Sequence, residues 1–236
     1  MPINVNNTTF ASILDLLSPY SCRGCGRIGD ALCGHCKKYI LDHHQNLCPI
    51  CKNTNTTDTC PHCNKVKSHD PLPPTFILGE RSDLLAALIH DYKYKSIRSL
   101  AHHFADMLDQ ILPPITGSTF IVPLPTIHRH VRERGFDHTL LIAKHLSKKR
   151  PNFSVNRALM RANSKVQVGT NMRDRKTQAN SAYEINHRIR LDPQANYILL
   201  DDVWTTGASL MAATKKLRSC GVSKITLLIL GLSRLN

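Results

Sequence analysis

Between residues 197 and 230 the sequence leaves little choice of architecture. Tyr197-Ile198-Leu199-Leu200 is an unbroken apolar run, and Lys224 to Leu230 is a second one. Between them, residues 209–220 place Leu210, Ala213 and Leu217 on one helical face, with Gly221 where a helix would end. Strands that do not alternate must be covered on both sides, which happens when a helix links two parallel strands and packs across them. The chain is therefore expected to be an α/β protein with a parallel sheet flanked by helices.

The preceding sequence supplies more of the same layout. Thr75 to Leu78 reads as a strand. Ser82-Asp83 caps a helix that carries Leu84, Leu85, Leu88, Ile89 and Tyr92 on one face, and a second helix spans about Ser99 to Leu112. Thr119 to Val122 is a short buried strand ending in Pro123-Leu124-Pro125. A basic loop from Thr126 to Asp137 then leads into a helix near His138 to Lys148. Residues 161–182 are polar and lack an apolar period, which predicts a long mobile loop, of a length that is usually functional or disordered. Phe10 to Leu17 reads as a short amphipathic packing helix. The stiff Asp70-Pro71-Leu72-Pro73-Pro74 segment sets a boundary between a region 1–74 and a domain 75–236. A chain of 236 residues, 42% of them hydrophobic, has material for one full core plus such an appendage.

The first region is too poor in core residues to fold by burial alone, and its cysteines supply the alternative. Cys22, Cys25, Cys33, Cys36, Cys48, Cys51, Cys60 and Cys63 form four CxxC pairs. Each pair presents two thiolates to one metal, so eight predict two structural Zn²⁺ sites with no open coordination position. Grouping the first four and the last four is simplest, and a crossed arrangement of pairs is also compatible with the spacing. The remaining Cys220 is expected to be a small buried apolar residue on its helix.

Charge is unevenly spread. Residues 1–75 hold 7 basic against 5 acidic side chains, and the remainder holds 24 against 12, so nearly all of the +14 net charge belongs to the second domain. Such an excess favours polyanions, nucleic acid before an acidic membrane face. No apolar run reaches the roughly 20 residues that span a bilayer, and Met1 to Leu17 does not have the pattern of a secretion signal. The expected location is the cytoplasm, without membrane insertion, where paired cysteines hold metal rather than form disulfides.

The expected site lies where the Tyr197–Leu200 strand runs into Asp201-Asp202, followed by Thr205-Thr206-Gly207-Ala208-Ser209 and a helix. Adjacent carboxylates at the carboxyl edge of a parallel strand accept hydrogen bonds from a vicinal diol or from the water shell of a cation. Small hydroxylic residues entering a helix let amides and hydroxyls converge on a phosphate. Gly207 permits close approach. Arg129, Arg132 and Arg134 supply planar forks for phosphate oxygens, and Gly135 frees the backbone to turn.

The whole string Ile198 to Ser209 resembles the phosphoribosyl pyrophosphate (PRPP) motif of type I phosphoribosyltransferases. The segment Pro123 to Phe136, the Tyr92-Lys93-Tyr94 triplet, Gln167, Arg175 and Tyr183, and the cysteine pairs together resemble the ComF family, similar to ComFC and GntX. Asp137-His138 departs from that pattern, where Asn-Gln is usual, as does Gln178, where Asn is usual. The resemblance implies a type I phosphoribosyltransferase-like fold with an N-terminal double zinc ribbon. It also implies that Asp201 and Asp202 hold ribose hydroxyls, Thr205 to Ser209 wrap the 5′ phosphate, the arginine segment with Arg175 faces pyrophosphate, and Mg²⁺ accompanies PRPP. Trp204 stands where smaller residues are common.

The family is linked to natural transformation, so the resemblance implies a competence protein that binds PRPP and handles single-stranded DNA in the cytoplasm, alongside other transformation proteins. Bases would stack on Tyr92, Tyr94 or Phe136. The alternative is an active phosphoribosyltransferase that moves phosphoribose onto an acceptor. The sequence offers no base-binding residues for such an acceptor and assigns no catalytic residue.

Overall fold

The computed structural model describes residues 20–44, 47–51, 72–81, 83–162 and 182–233. The expected helix at Phe10–Leu17 lies outside them. So does nearly all of the expected loop 161–182, together with Cys60, Cys63, Ser82 and Arg175. Among these residues, helix α1 (Gly34–Asp42) precedes strand β1 (Thr75–Glu80), helices α2 (Asp83–Tyr94) and α3 (Leu100–Ile111), and strand β2 (Thr119–Pro123). Helices α4 (His128–Arg134) and α5 (His138–Leu146) come next, then short strands β3 (Phe153–Val155), β4 (Leu159–Arg161) and β5 (Tyr183–Ile185). Strand β6 (Asn196–Trp204), helix α6 (Ala208–Arg218) and strand β7 (Ile225–Leu232) complete the order.

Five strands form one parallel sheet in the order β1-β7-β6-β2-β3, while β4 and β5 pair antiparallel in a separate ribbon. The continuous apolar runs divide by the pleat. Ile198, Leu200, Leu228 and Leu230 face the layer of α2, α3 and α5, and Tyr197, Leu199, Leu227 and Ile229 face α6. Every one of these eight side chains is fully buried. Gly221 takes φ +86°, the Gly221 amide donates to the Arg218 carbonyl, and the Val222 amide donates to the Leu217 carbonyl. That crossed pair ends α6 at a left-handed residue, as its glycine predicts.

Three expectations need correcting. The strand expected to stop at Leu200 continues to Trp204, because Asp201, Val203 and Trp204 still pair with β7. The basic loop 126–137 contains α4, a helix with no buried residue and hence no apolar stripe by which to recognise it. Cys220 is exposed, since it lies beyond the last turn of α6.

The cysteine segment does not stand apart from the sheet domain. Ala31, Leu32, Cys36 and Ile40 share one buried cluster with Leu85, Leu88, Leu100 and Phe104. Polar links frame this contact: Arg23 pairs with Asp91, Lys37 Nζ lies 2.8 Å from Asp106, and Asp30 lies 2.8 Å from His103.

Candidate functional site

In the sheet order, β2 leads on to β3 on one side and β6 leads on to β7 on the other. The connections therefore diverge between β2 and β6, and a crevice opens at the carboxyl ends of these two strands, where open α/β sheets bind ligands. A pocket of about 300 Å³ lies here, with Lys93, Arg134, His138, Arg161, Asp201 and Asp202 among its lining residues. Ser209 and Tyr183 also line it.

Asp202 is buried and held from two directions. Lys93 Nζ pairs with its Oδ2, and His138 Nε2 lies 2.7 Å from the same oxygen. Burial would raise this carboxyl, but the hydrogen bond and charge of His138 and the charge of Lys93 hold it well below the ordinary carboxylate range. Asp201 moves the other way. Burial first, and the neighbouring Asp202 charge second, push it up to about 7, although its Oδ1 accepts the Asp202 amide at 2.9 Å. Two adjacent carboxyls thus have opposite proton affinities, one firmly ionised and one able to exchange a proton near neutrality.

Lys93 and His138 complete the site, and neither was singled out in the sequence as a site residue. Lys93 lies in the last turn of α2, whose Tyr92 hydroxyl donates to the His138 carbonyl at 2.7 Å. His138 opens α5, capped by Asp137, which accepts the Leu140 amide at 3.2 Å. Arg134 Nη1 lies 3.0 Å from His138 Nδ1. The Tyr92-Lys93-Tyr94 triplet and the unusual histidine after Asp137 were the only sequence signals for these two residues.

The predicted residues divide in two. Asp201, Asp202, Ser209 and Arg134 line the pocket, whereas Thr205, Thr206 and Ala208 lie exposed in the turn and first helical residue above it. The Thr206 hydroxyl accepts the Ala208 amide at 3.4 Å, and no side chain caps α6. Arg132 is exposed on α4, Arg129 bonds Glu133 of its own helix at 2.7 Å, and Gly135 closes that helix at φ +73°. Trp204 is buried in the core beneath the turn and does not line the pocket. Tyr92 is fully buried, so it cannot stack on a base; Phe136 is half-buried under Arg98, and Tyr94 is exposed with Arg134 over its ring.

The cysteine segment forms a second centre. The sulfurs of Cys22, Cys25, Cys33 and Cys36 all lie within 4.8 Å of one another. Burial would raise the Cys22 thiol, but the amides of Cys33, Cys25 and Gly24 overcome it and bring it down to about 6. Burial and then the three neighbouring sulfurs push Cys36 up to about 12. A cation is the natural remedy for four crowded sulfurs, and the set fits a tetrahedral zinc ion. A side chain at Gly24 would meet the Cys36 sulfur at 2.6 Å, so the knuckle needs a glycine there. Cys48 is buried and Cys51 half-buried, and neither belongs to this cluster.

No protein-family model matches the chain. It is 25% identical over 226 residues to Competence protein F of Haemophilus influenzae, covering 86% of this chain and 96% of that protein. The parallel α/β layout and the four-sulfur cluster fit the resemblance read from the sequence. The chain is similar to Competence protein F over most of its length. The features that fit this likeness are a five-stranded parallel sheet flanked by helices and a cysteine segment with ligands for a metal. Among the described residues no helix is long and apolar enough to cross a membrane.

Proposed function

We propose that the chain binds PRPP, with Mg²⁺, in the crevice between β2 and β6, and that it serves natural transformation as a handler of single-stranded DNA. The observation that carries the first half is the acidic pair at the diverging strand ends, facing a cationic rim of Lys93, Arg134 and Arg161. Carboxyls accept from ribose hydroxyls, while the rim and the uncapped start of α6 attract phosphate oxygens. In this reading Thr205 to Ser209 surround the 5′ phosphate, and Arg134 and Arg175 meet pyrophosphate. Cys22, Cys25, Cys33 and Cys36 hold one structural zinc, and the other four cysteines hold a second.

The DNA half rests on the basic excess of residues 76–236 and on exposed Tyr94, Arg129 and Arg132 beside the pocket mouth. The role in transformation rests on the likeness to Competence protein F. Calorimetry with PRPP and Mg²⁺ tests the pocket: the expected result is one site per chain, lost in Asp201→Asn/Asp202→Asn. No heat with the wild type would end this reading. Pyrophosphate release in the same mixture would extend it from binding to transfer. For DNA, a fluorescent oligonucleotide should bind with steep salt dependence, reduced in Arg132→Ala/Arg134→Ala. Salt-insensitive binding would reject that part.

A further inference from the structure

We infer that Asp30, His102 and His103 form a metal site separate from the thiolate cluster, one that takes a divalent transition ion such as Zn²⁺. One ligand atom from each of the three lies within 4.8 Å of the other two. Asp30 belongs to the turn between Cys25 and Cys33, and the two histidines sit in the first turn of α3, so the ion would lie on the seam between the cysteine segment and the sheet domain.

The orientation of His103 carries the inference. Its ring is 2% exposed, and its Nδ1 is buried with no hydrogen-bond partner. The only polar outlet is Nε2, which lies 2.8 Å from Asp30 Oδ1. Nε2 is therefore the ring atom that faces Asp30 and His102 and would bind the ion.

His102 supplies the second nitrogen. Its ring centroid is 3.8 Å from that of His103. His145 approaches from α5, with its ring 6.2 Å from His102. Two imidazoles and one carboxylate suit zinc, cobalt or nickel rather than magnesium or calcium, and the exposed side of Asp30 leaves a coordination position open to water.

The test uses the full chain, supplied with only enough Zn²⁺ to fill its thiolate sites and then titrated with Co²⁺. One further equivalent should bind, with ligand-field bands and no thiolate-to-cobalt charge transfer. Asp30→Asn/His102→Gln should lose that equivalent or bind it at least about tenfold more weakly. Asp30→Asn alone keeps an oxygen beside His103, so it serves where the double variant does not fold, and His128→Gln should bind cobalt as the wild type does. Equal uptake by wild type and variants, absence of any further equivalent, or charge transfer from the added cobalt would each overturn the assignment.

Discussion

Gly207→Ala tests the turn that joins the acidic pair to α6, and its cost can be worked out from two separate contributions. Gly207 has φ +75°, a left-handed conformation that costs an ordinary residue about 1–2 kcal/mol. A Cβ built there would stand 2.1 Å from Trp204 Cζ2 and 2.6 Å from two more ring atoms. The ring is 4% exposed within the α6-side core, so it can move aside only by overpacking, at about 1–3 kcal/mol. The sum, about 2–5 kcal/mol, corresponds to a fall of very roughly 5–15 °C in Tm for a chain of this size. Trp204 is the only tryptophan in the chain, so its emission reports on the contact directly and should shift to the red in the variant. A double-mutant cycle followed by circular dichroism separates the two contributions. In a Trp204→Leu background the glycine replacement should keep only the backbone cost, which leaves a coupling of about 1–3 kcal/mol. Equal costs in both backgrounds, or a loss under about 1 kcal/mol in the wild-type background, would refute the ring contact.

Three further outcomes follow from the same structure. If Asp201, pushed up to about 7, accepts a ribose hydroxyl as a carboxylate, PRPP affinity should weaken as pH falls below 7, by up to about tenfold per unit, and Asp201→Asn should remove that part of the pH dependence seen in calorimetry. Burial would raise Asp106, but bonds from Lys149 and Lys37 bring it down to about 2; its folded value is depressed, so its contribution is present above about pH 4 and lost as pH falls towards 2. Asp106→Asn should cost about 1–2 kcal/mol at pH 7, after allowance for its partial exposure, and much less at pH 2, as measured by urea unfolding. Removing metal with a strong chelator, or introducing Cys25→Ser, should loosen residues 20–44 first, seen as faster amide exchange around Leu32 and Ile40 while Leu199 and Leu228 stay protected.

The parts of the fold that the sequence made legible are those with a strong local period. The runs at 197–200 and 224–230 announced parallel strands because both faces are covered, and the capping glycine at 221 marked where α6 ends. The strands β3, β4 and β5 were not legible, because three residues each are too few to show alternation. Helix α4 escaped because it buries nothing. At the site, the acidic pair was visible because adjacent carboxylates at a strand end are chemically distinctive, but their partners were not. Lys93 and His138 reach Asp202 from elements about 109 and 64 positions away in sequence, and only the packing of α2 and α5 on the sheet unites them. The same applies to Asp30 and His103, 73 residues apart.

The last turn of α2 carries two attachments that face different neighbours. Asp91 grips Arg23 of the cysteine segment, and two residues later Lys93 grips Asp202 in the crevice. Three residues therefore couple the two halves of the molecule mechanically. If oxidation or metal loss drew Arg23 away, a buried carboxylate at Asp91 would be left to Lys95 and His90 at its exposed edge, and the turn that sets the height of Lys93 would lose its outer brace. The sulfur chemistry at one end of the chain thus has a short lever on the charge balance at the other.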